Sequence, residues 1–283
     1  MKFSKVDRER DVRKTSWKKN EDPEGLLKRV ACFALDLDGT VYLDDQWIDG
    51  ALDFLAQIKR VGKDYIFLTN NSSKGSRAYF EKLKRMGLRL EARHLATSGD
   101  ATIEYILKYM PGKRIFLMGN DTLKEDFTRY GLVLDDNNPD MVVTAFDTGF
   151  DYAKMTKLCD FVRSGLPYIG THPDFNCPTK EGFIPDIGAI HAYVEASTGR
   201  RPDKIIGKPN SEIVEHALRL AGAVRECTAM VGDRLYTDIP TGINNGLVSV
   251  CVLSGESSLK DVIKSEMQPH LVFDSVRDMI PFI

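Results

Sequence analysis

The amino-acid sequence predicts an α/β protein with a parallel-sheet core and a second α/β block inserted into that core. Three observations support this fold class. A strand, an amphipathic helix and a second strand follow one another between residues 31 and 69, a similar alternation fills the middle of the chain, and the first pattern returns after Lys204. Because strand–helix–strand units join parallel strands by right-handed crossovers, the core sheet is expected to be parallel.

The first strand and the first helix carry the clearest patterns. An apolar run from Ala31 ends at Asp36 and Asp38, which indicates a buried strand with a polar carboxyl end. The next segment has apolar residues at the i, i+3, i+4 and i+7 spacing of one helical face: Ala51, Phe54, Leu55 and Ile58. Gly62 offers a helix stop before the second strand, residues 65–69.

The remaining elements are predicted from the same periodicities. Further strands are expected at residues 114–118, 141–145, 168–171, 205–206, 228–233 and 247–253. Further helices are expected near residues 78–86, 99–109, 122–130, 152–164, 189–197 and 211–221. The pattern predicts a discontinuous core, residues 1–109 plus 202–283, which begins with a charged extension over 1–25. The inserted α/β domain is expected over residues 110–201.

Composition and charge exclude several classes of protein. Of the 283 residues, 42% are hydrophobic and 28% charged, which predicts a folded chain and not a disordered one. A formal charge of -2 gives no general attraction to nucleic acid or to an anionic membrane surface. No segment approaches the roughly 20 apolar residues of a membrane span. The five cysteines are widely spaced, so we expect reduced thiols and a cytoplasmic protein.

Two carboxylates follow the first predicted strand. Asp36 and Asp38 are two residues apart, so their side chains point the same way if the strand stays regular. Their mutual repulsion is relieved by a divalent cation or by a proton on one of them, and both outcomes serve phosphoryl transfer. Gly39 permits a tight exit from the strand, and Thr40 can cap the turn. By itself the motif also fits an ordinary surface turn.

Two further motifs are suited to binding phosphate. Thr69 and Asn70 open a run of small donors, residues 69–73, that leads towards a helix, where hydroxyl and N–H groups can bind phosphate oxygens. Taken alone, this run is better explained by an ordinary helix N-cap. Lys208 lies between Gly207 and Pro209, and its ammonium could neutralise both a phosphate and a nucleophilic carboxylate. A simple turn is the alternative.

The last motif is the segment from Gly232 to Asp238, which directly follows a predicted strand. Asp233 is expected at the end of that strand, and Asp238 is expected to fold back from the next turn. Both carboxylates would supply further oxygen ligands for a hard cation. Because carboxylates recur at the carboxyl ends of two predicted parallel strands, coincidence is a weaker explanation here than for any single motif.

In chain order the four motifs DxDGT, TNN, GKP and GDxxxTD resemble those of the haloacid dehalogenase superfamily. Their spacing and the large insert between TNN and GKP resemble its capped subfamily IIA, which includes the NagD-like, 4-nitrophenylphosphatase and pyridoxal phosphatase enzymes. The resemblance covers nearly all of the chain from Cys32 onwards. It implies a Rossmann-like core with an inserted α/β cap domain, and a Mg²⁺-dependent phosphatase acting on a small phosphorylated metabolite.

The resemblance also implies roles for individual residues. Asp36 corresponds to the nucleophile, which would form an aspartyl-phosphate, and Asp38 to the acid that protonates the leaving oxygen and later activates water. Thr69 and Lys208 correspond to phosphate-binding residues, and Asn70 offers a backbone N–H.

The magnesium ligands implied by the resemblance are the Asp36 carboxylate, the Asp38 main-chain carbonyl and Asp233. Asp238 corresponds to an acid that supports the metal through water. In the insert, the family region that faces the substrate corresponds to His172, Asp174 and Asn176, which become candidates for contacts with the leaving group. Prolines in the same region could instead mark a purely structural loop.

The motifs specify phosphoryl capture and not its acceptor. A phosphotransferase or phosphomutase with the same intermediate is therefore an alternative, as is a catalytically silent phosphate-binding regulator. Nucleotides, sugar phosphates, glycerol phosphate and pyridoxal phosphate all fit a capped site of this kind. The role of the charged extension and the oligomeric state, a homo-oligomer included, stay open at this point.

Overall fold

The computed structural model describes residues 22–179 and 182–283, and this part of the chain divides into two compact units. The first unit contains the residues up to Leu68 together with Glu91–Leu95 and Ala217–Ile283. The second contains Thr69–Leu90 and Ala96–His216, and it includes the whole range over which the cap domain is predicted. The predicted boundaries of core and cap stay a prediction.

The strands and helices are numbered in chain order. The strands are β1 (Cys32–Leu35), β2 (Tyr42–Leu43), β3 (Gln46–Trp47), β4 (Asp64–Thr69), β5 (Leu95–Thr97), β6 (Arg114–Met118), β7 (Val133–Leu134), β8 (Met141–Thr144), β9 (Tyr168–Gly170), β10 (Asn176–Thr179), β11 (Gly182–Pro185), β12 (Lys204–Ile205), β13 (Thr228–Gly232), β14 (Val248–Val252) and β15 (Leu271–Phe273). The α-helices are α1 (Pro23–Arg29), α2 (Ala51–Arg60), α3 (Ser76–Arg85), α4 (Ser98–Tyr109), α5 (Asp121–Arg129), α6 (Tyr152–Arg163), α7 (Ile187–Thr198), α8 (Ser211–Ala221), α9 (Asp238–Asn244) and α10 (Leu259–Lys264).

A six-stranded sheet has the strand order β15-β14-β13-β1-β4-β5. Strand β1 pairs in parallel with both β13 and β4, and the parallel pairing continues from β13 through β14 to β15. In register, Leu35 at the end of β1 lies opposite Val231 of β13. The predicted parallel sheet is confirmed. Parallel pairing brings the carboxyl ends of β1 and β13 to the same edge of the sheet, where polar side chains follow both strands.

Helix α2 shows how the apolar pattern is used. Its buried residues are the four that the sequence spacing indicates: Ala51, Phe54, Leu55 and Ile58. Burying one large side chain of this kind contributes about 1.5–3 kcal/mol, which outweighs the small differences in helix propensity along the segment. The helix continues to Arg60, and Gly62 follows with a left-handed φ of 75°. The predicted helix is therefore confirmed.

The second unit contains a five-stranded sheet of order β12-β9-β8-β6-β7, in which all neighbouring strands are parallel. Its helices α6 and α7 bury apolar residues in one cluster with the sheet, including Leu158 and Val194 with Phe116 and Val142. Strands β10 and β11 form a separate antiparallel pair. This pair, like the short strands β2, β3, β5, β7 and β15, is not among the sequence predictions, because strands of two to four residues seldom show a clear period.

The charged extension predicted over residues 1–25 falls mainly outside the described residues. Its described end enters α1, where the Asp22 carboxylate accepts a hydrogen bond from the Glu24 N–H at 3.0 Å and caps the helix. Among the helices described, none has the length and apolar character needed to cross a membrane.

An ion-pair network at the start of β4 is expected to make stability depend on pH. Burial acts to raise the pKa of the Asp64 carboxyl, but hydrogen bonds from Lys59 and Arg93 outweigh it, and the pKa lies well below its usual value of 3.8. A depressed folded-state pKa stabilises the fold above the unfolded-state value and loses that effect as the pH falls through the folded-state value. Asp64→Asn should therefore lower the urea midpoint at pH 7, and the deficit should narrow below about pH 4.

The matched control is Asp53→Asn, which changes an exposed carboxyl of α2 and should alter the midpoint little at either pH. An Asp64→Asn deficit of the same size at pH 7 and pH 3 would show that the charge of Asp64 is not its source.

Candidate active site

Three buried carboxylates of the first unit converge. Asp36 follows β1, and its backbone N–H donates to the Val231 carbonyl at 2.9 Å, so the strand pairing extends to this residue. Asp233 directly follows β13, and Asp238 is the first residue of α9. All three are buried, and one carboxylate oxygen from each lies within 4.8 Å of the others. Three carboxylates at this spacing repel one another unless a cation or protons reduce the charge.

The Asp233 carboxylate is held on both of its oxygens. The Thr40 hydroxyl donates to Oδ1 at 3.3 Å, and the backbone N–H of Glu256 donates to Oδ2 at 2.7 Å. From the sequence, Thr40 can cap or hydrogen-bond its own turn, and in the structure its hydroxyl donates to Asp233. These two donors orient the carboxylate and leave little freedom for its rotation.

Two glycines make room for the Asp233 carboxylate. Gly39 has a left-handed φ of 89°, as its place in a tight exit from the strand requires. A Cβ at Gly39 would lie 2.5 Å from Asp233 Oδ2, and one at Gly255 would lie 2.0 Å from the same atom. Any larger residue at either position would displace the carboxylate. The glycine of the DxDGT motif is therefore needed for backbone conformation and for space.

Asp238 is brought to the site by a short loop and the start of α9. Its Oδ2 accepts a hydrogen bond from the Arg234 N–H at 3.0 Å, so the carboxylate closes the loop that begins at Asp233. A Cβ at Gly232 would lie 2.2 Å from Asp238 Cγ, which explains a glycine at the end of β13. The structure thus places Asp238 beside Asp36 and Asp233, whereas its action through water stays a prediction.

The donor set fits a hard divalent cation. The carboxylate oxygens that could bind it come from two chain segments and are buried, and those of Asp233 and Asp238 are already held by hydrogen bonds. Asp38 is half-buried, and its backbone forms an isolated bridge with Tyr42, next to the left-handed Gly39. The acid–base role of Asp38 and the use of its carbonyl as a ligand stay predictions.

The predicted phosphate-binding residues belong to the second unit. Thr69 closes β4, and its Oγ1 accepts the Asn71 N–H at 3.2 Å. Asn70 and Lys208 are both buried, and the Asn70 side chain bonds to the Lys208 backbone: Oδ1 accepts the Lys208 N–H at 2.7 Å, and Nδ2 donates to the Lys208 carbonyl at 3.1 Å. The sequence assigns Asn70 a part through its backbone N–H only, and the side-chain contacts are an additional feature.

The three candidate leaving-group residues differ in exposure. His172 is fully buried, and its Nε2 is hydrogen-bonded to Asp186 Oδ1 at 3.0 Å while its Nδ1 lies 3.0 Å from Thr171 Oγ1. Asp174 is buried as well, whereas Asn176 is exposed at the start of β10. Ligand atoms of His172, Asp174 and Asp186 also lie within 4.8 Å of one another. Contact of the three predicted residues with a leaving group stays a prediction.

Some residues of these sites are missed by sequence reasoning. Gly255 and Glu256 follow β14, the parallel neighbour of β13. Their place after the carboxyl end of a predicted strand is the sequence signal that could have identified them. Asp186, the partner of His172, is the N-cap of α7. In a sequence, an aspartate directly before a helix is ordinarily interpreted as an N-cap and not as a site residue. Both assignments need the order of the strands or the path of a loop, which single-sequence patterns leave undetermined.

Comparison with known proteins agrees with the predicted family and fold. A family model described as haloacid dehalogenase-like hydrolase matches residues 33–133, and one described as HAD-hydrolase-like matches residues 205–279. An acid sugar phosphatase of Staphylococcus aureus (strain MRSA252) is 36% identical over 255 residues, covering 90% of this chain and 98% of the relative.

Two solved structures extend the comparison. The 4-nitrophenylphosphatase from Thermotoga maritima is 46% identical with a TM-score of 0.88, and the match covers 90% of this chain and 98% of that one. NagD from E. coli K-12 is 32% identical with a TM-score of 0.80, covering 88% and 98%. The chain belongs to the haloacid dehalogenase superfamily of hydrolases. Within it, the protein is a phosphoric monoester hydrolase of capped subfamily IIA, with the Rossmann-like α/β fold that the sequence predicts.

Proposed function

We propose that the enzyme hydrolyses small phosphate monoesters with the help of Mg²⁺, through an aspartyl-phosphate on Asp36. The observation that carries the proposal is the convergence of three buried carboxylates, Asp36, Asp233 and Asp238, with one oxygen of each within 4.8 Å of the others. Such a cluster suits a hard cation next to a carboxylate nucleophile.

Asp36 and Asp233 would hold the cation together with the Asp38 carbonyl, and Asp238 would support it. When bound, the cation supplies positive charge that offsets the repulsion between the phosphate dianion and the attacking carboxylate. Thr40 and the Glu256 N–H support this role, because they hold the Asp233 carboxylate in one orientation before any cation binds.

In the first half-reaction, an Asp36 oxygen forms a bond to phosphorus while the bond from phosphorus to the ester oxygen breaks. Asp38 donates its proton to the departing oxygen, so the alcohol leaves neutral. In the second half-reaction, a water oxygen forms a bond to the phosphorus while the bond from phosphorus to the Asp36 oxygen breaks, and Asp38 takes a proton from that water. Inorganic phosphate leaves, and Asp36 and Asp38 return to their starting protonation states.

Thr69, the Asn70 N–H and the Lys208 ammonium are proposed to bind the phosphate oxygens. An ammonium is a compact point charge, and it stabilises a phosphate more strongly where water is excluded. The burial of Lys208 and the two hydrogen bonds that hold its backbone support a fixed position for this charge.

For the substrate, we propose a small phosphorylated metabolite, with sugar phosphates as the first class to test. The name of the Staphylococcus aureus relative, acid sugar phosphatase, supports this choice. We also propose a cytoplasmic location, which the five free cysteines support because reduced thiols persist in a reducing compartment.

A phosphate-release screen with Mg²⁺ tests the proposal. The panel contains 4-nitrophenyl phosphate, hexose and pentose phosphates, nucleoside monophosphates, glycerol phosphate and pyridoxal phosphate. We expect release from 4-nitrophenyl phosphate and the highest kcat/KM among the sugar phosphates. Inorganic phosphate should equal the substrate consumed, since a shortfall would indicate transfer to another acceptor. No release from any member of the panel would contradict the proposed function.

A further inference from the structure

We propose that Asp174 and Asn70 are positioning residues that hold Lys208 in place for the phosphate, and that Asp174 does not contact the leaving group. The inference rests on the proposed role of Lys208 as a phosphate-binding residue. It changes the expected effect of replacing Asp174. If Asp174 contacted the leaving group, the replacement would change kcat/KM for some substrates more than for others, whereas an effect through Lys208 would lower kcat/KM for all substrates by the same factor.

The Asn70 side chain forms two hydrogen bonds with the backbone of Lys208. Its Oδ1 accepts the Lys208 N–H at 2.7 Å, and its Nδ2 donates to the Lys208 carbonyl at 3.1 Å. The same Nδ2 donates to Asp174 Oδ1 at 3.2 Å. One amide group therefore joins the backbone of the lysine to a carboxylate. All three residues are at most 4% exposed, so water competes little for these hydrogen bonds.

The chemistry of the partners determines the orientation of the Asn70 amide. The Lys208 carbonyl and the Asp174 carboxylate are acceptors, and both face Nδ2, whose two hydrogens match them. The flipped amide would set its oxygen against two acceptors and its NH₂ against the Lys208 N–H. Asp174 thus helps to select the orientation in which Asn70 can hold the lysine backbone on both sides.

Close packing at Gly207 supports the same arrangement. A Cβ at Gly207 would lie 2.6 Å from Asn70 Oδ1 and 2.7 Å from the Thr171 carbonyl oxygen. The Gly207 N–H also donates to that carbonyl at 2.7 Å. The GKP motif therefore requires glycine at this position because there is no room for a Cβ, which would push Asn70 away from Lys208.

Asp174 is itself anchored through its backbone. Its carbonyl accepts the Gly188 N–H at 2.8 Å in the first turn of α7, and a Cβ at Gly188 would lie 2.7 Å from that carbonyl oxygen. A rigid connection thus runs from α7 through Asp174 and Asn70 to Lys208. Side chains packed in this way have few alternative rotamers, so the lysine backbone is fixed before a phosphate arrives.

The test measures binding of inorganic phosphate by calorimetry, which does not require turnover. Asp174→Ala should weaken phosphate binding by about fivefold to tenfold, the worth of one buried hydrogen bond. Asp174→Asn is the matched control, because its amide oxygen can still accept from Asn70 Nδ2, and binding should stay within about twofold of wild type. In the Lys208→Ala background, Asp174→Ala should have no further effect beyond about twofold.

Turnover provides a second readout. Asp174→Ala should lower kcat/KM by one common factor for acetyl phosphate, 4-nitrophenyl phosphate and a sugar phosphate. Asn70→Ala removes the side-chain hydrogen bonds to Asp174 and to the Lys208 backbone, and it keeps the Asn70 backbone N–H. It should show the same absence of additivity with Lys208→Ala, which keeps the test decisive if Asp174→Ala does not fold.

Three results would overturn the inference: a change in the ratio of kcat/KM between leaving groups, an Asp174→Asn loss as large as that of Asp174→Ala, or additive effects with Lys208→Ala. A wild-type protein whose phosphate binding depends on Asp174 and Lys208 as described, yet which shows no turnover, would support the inference and reject the proposed function. The two failures are therefore distinguishable.

Discussion

Replacing Asp36 by Asn is expected to reduce kcat by more than about 10³-fold with little change in stability. The amide has almost the volume of the carboxylate, so the packing between β1 and β13 should persist. The amide is too weak a nucleophile to form a bond to phosphorus. The substitution also removes one of the three converging negative charges. The measurement is single-turnover release of phosphate from the best substrate of the screen, with a thermal melt to verify folding.

The control for this change is Asp121→Asn, which alters a side chain that is 95% exposed and should retain full activity. Residual activity of Asp36→Asn within about tenfold of wild type, equivalent to about 1.4 kcal/mol of barrier, would contradict the role of Asp36 as nucleophile.

Removal of divalent cations is expected to abolish turnover, and added Mg²⁺ should restore it. Because Ca²⁺ is larger and accepts more ligands at longer distances, it should occupy the site and inhibit. Asp233→Asn should raise the Mg²⁺ concentration for half-maximal activity by at least about tenfold, since a neutral amide binds a hard cation less well. A titration of activity against Mg²⁺ for each variant measures both effects.

In the Mg²⁺ titration, Asp53→Asn is the control, and its curve should coincide with that of wild type. Full activity in excess chelator would remove the cation from the mechanism. An Asp233→Asn curve shifted by less than about twofold would show that the residue is not a ligand.

Much of the fold is readable from the sequence, because the relevant signals are local. The four apolar residues of α2 become its buried face, and the apolar runs before Asp36 and Asp233 become the adjacent strands β1 and β13. Strand β15 is not among the predictions. Three residues, Leu271–Phe273, form it at the edge of the sheet, and a short apolar run does not by itself distinguish a strand from a segment of a buried helix.

The site divides in the same way. By itself the sequence determined which residue types follow each strand, and hence that Asp36 and Asp233 would meet at one edge of a parallel sheet. Only the tertiary structure decided how each group is held: Asp233 by the Thr40 hydroxyl and the Glu256 N–H, and the Lys208 backbone by the Asn70 amide. Motif spacing follows from local strand and turn geometry, whereas these hydrogen bonds join residues between 23 and 193 positions apart. Such contacts depend on strand order and packing, which the pattern of a single chain does not encode.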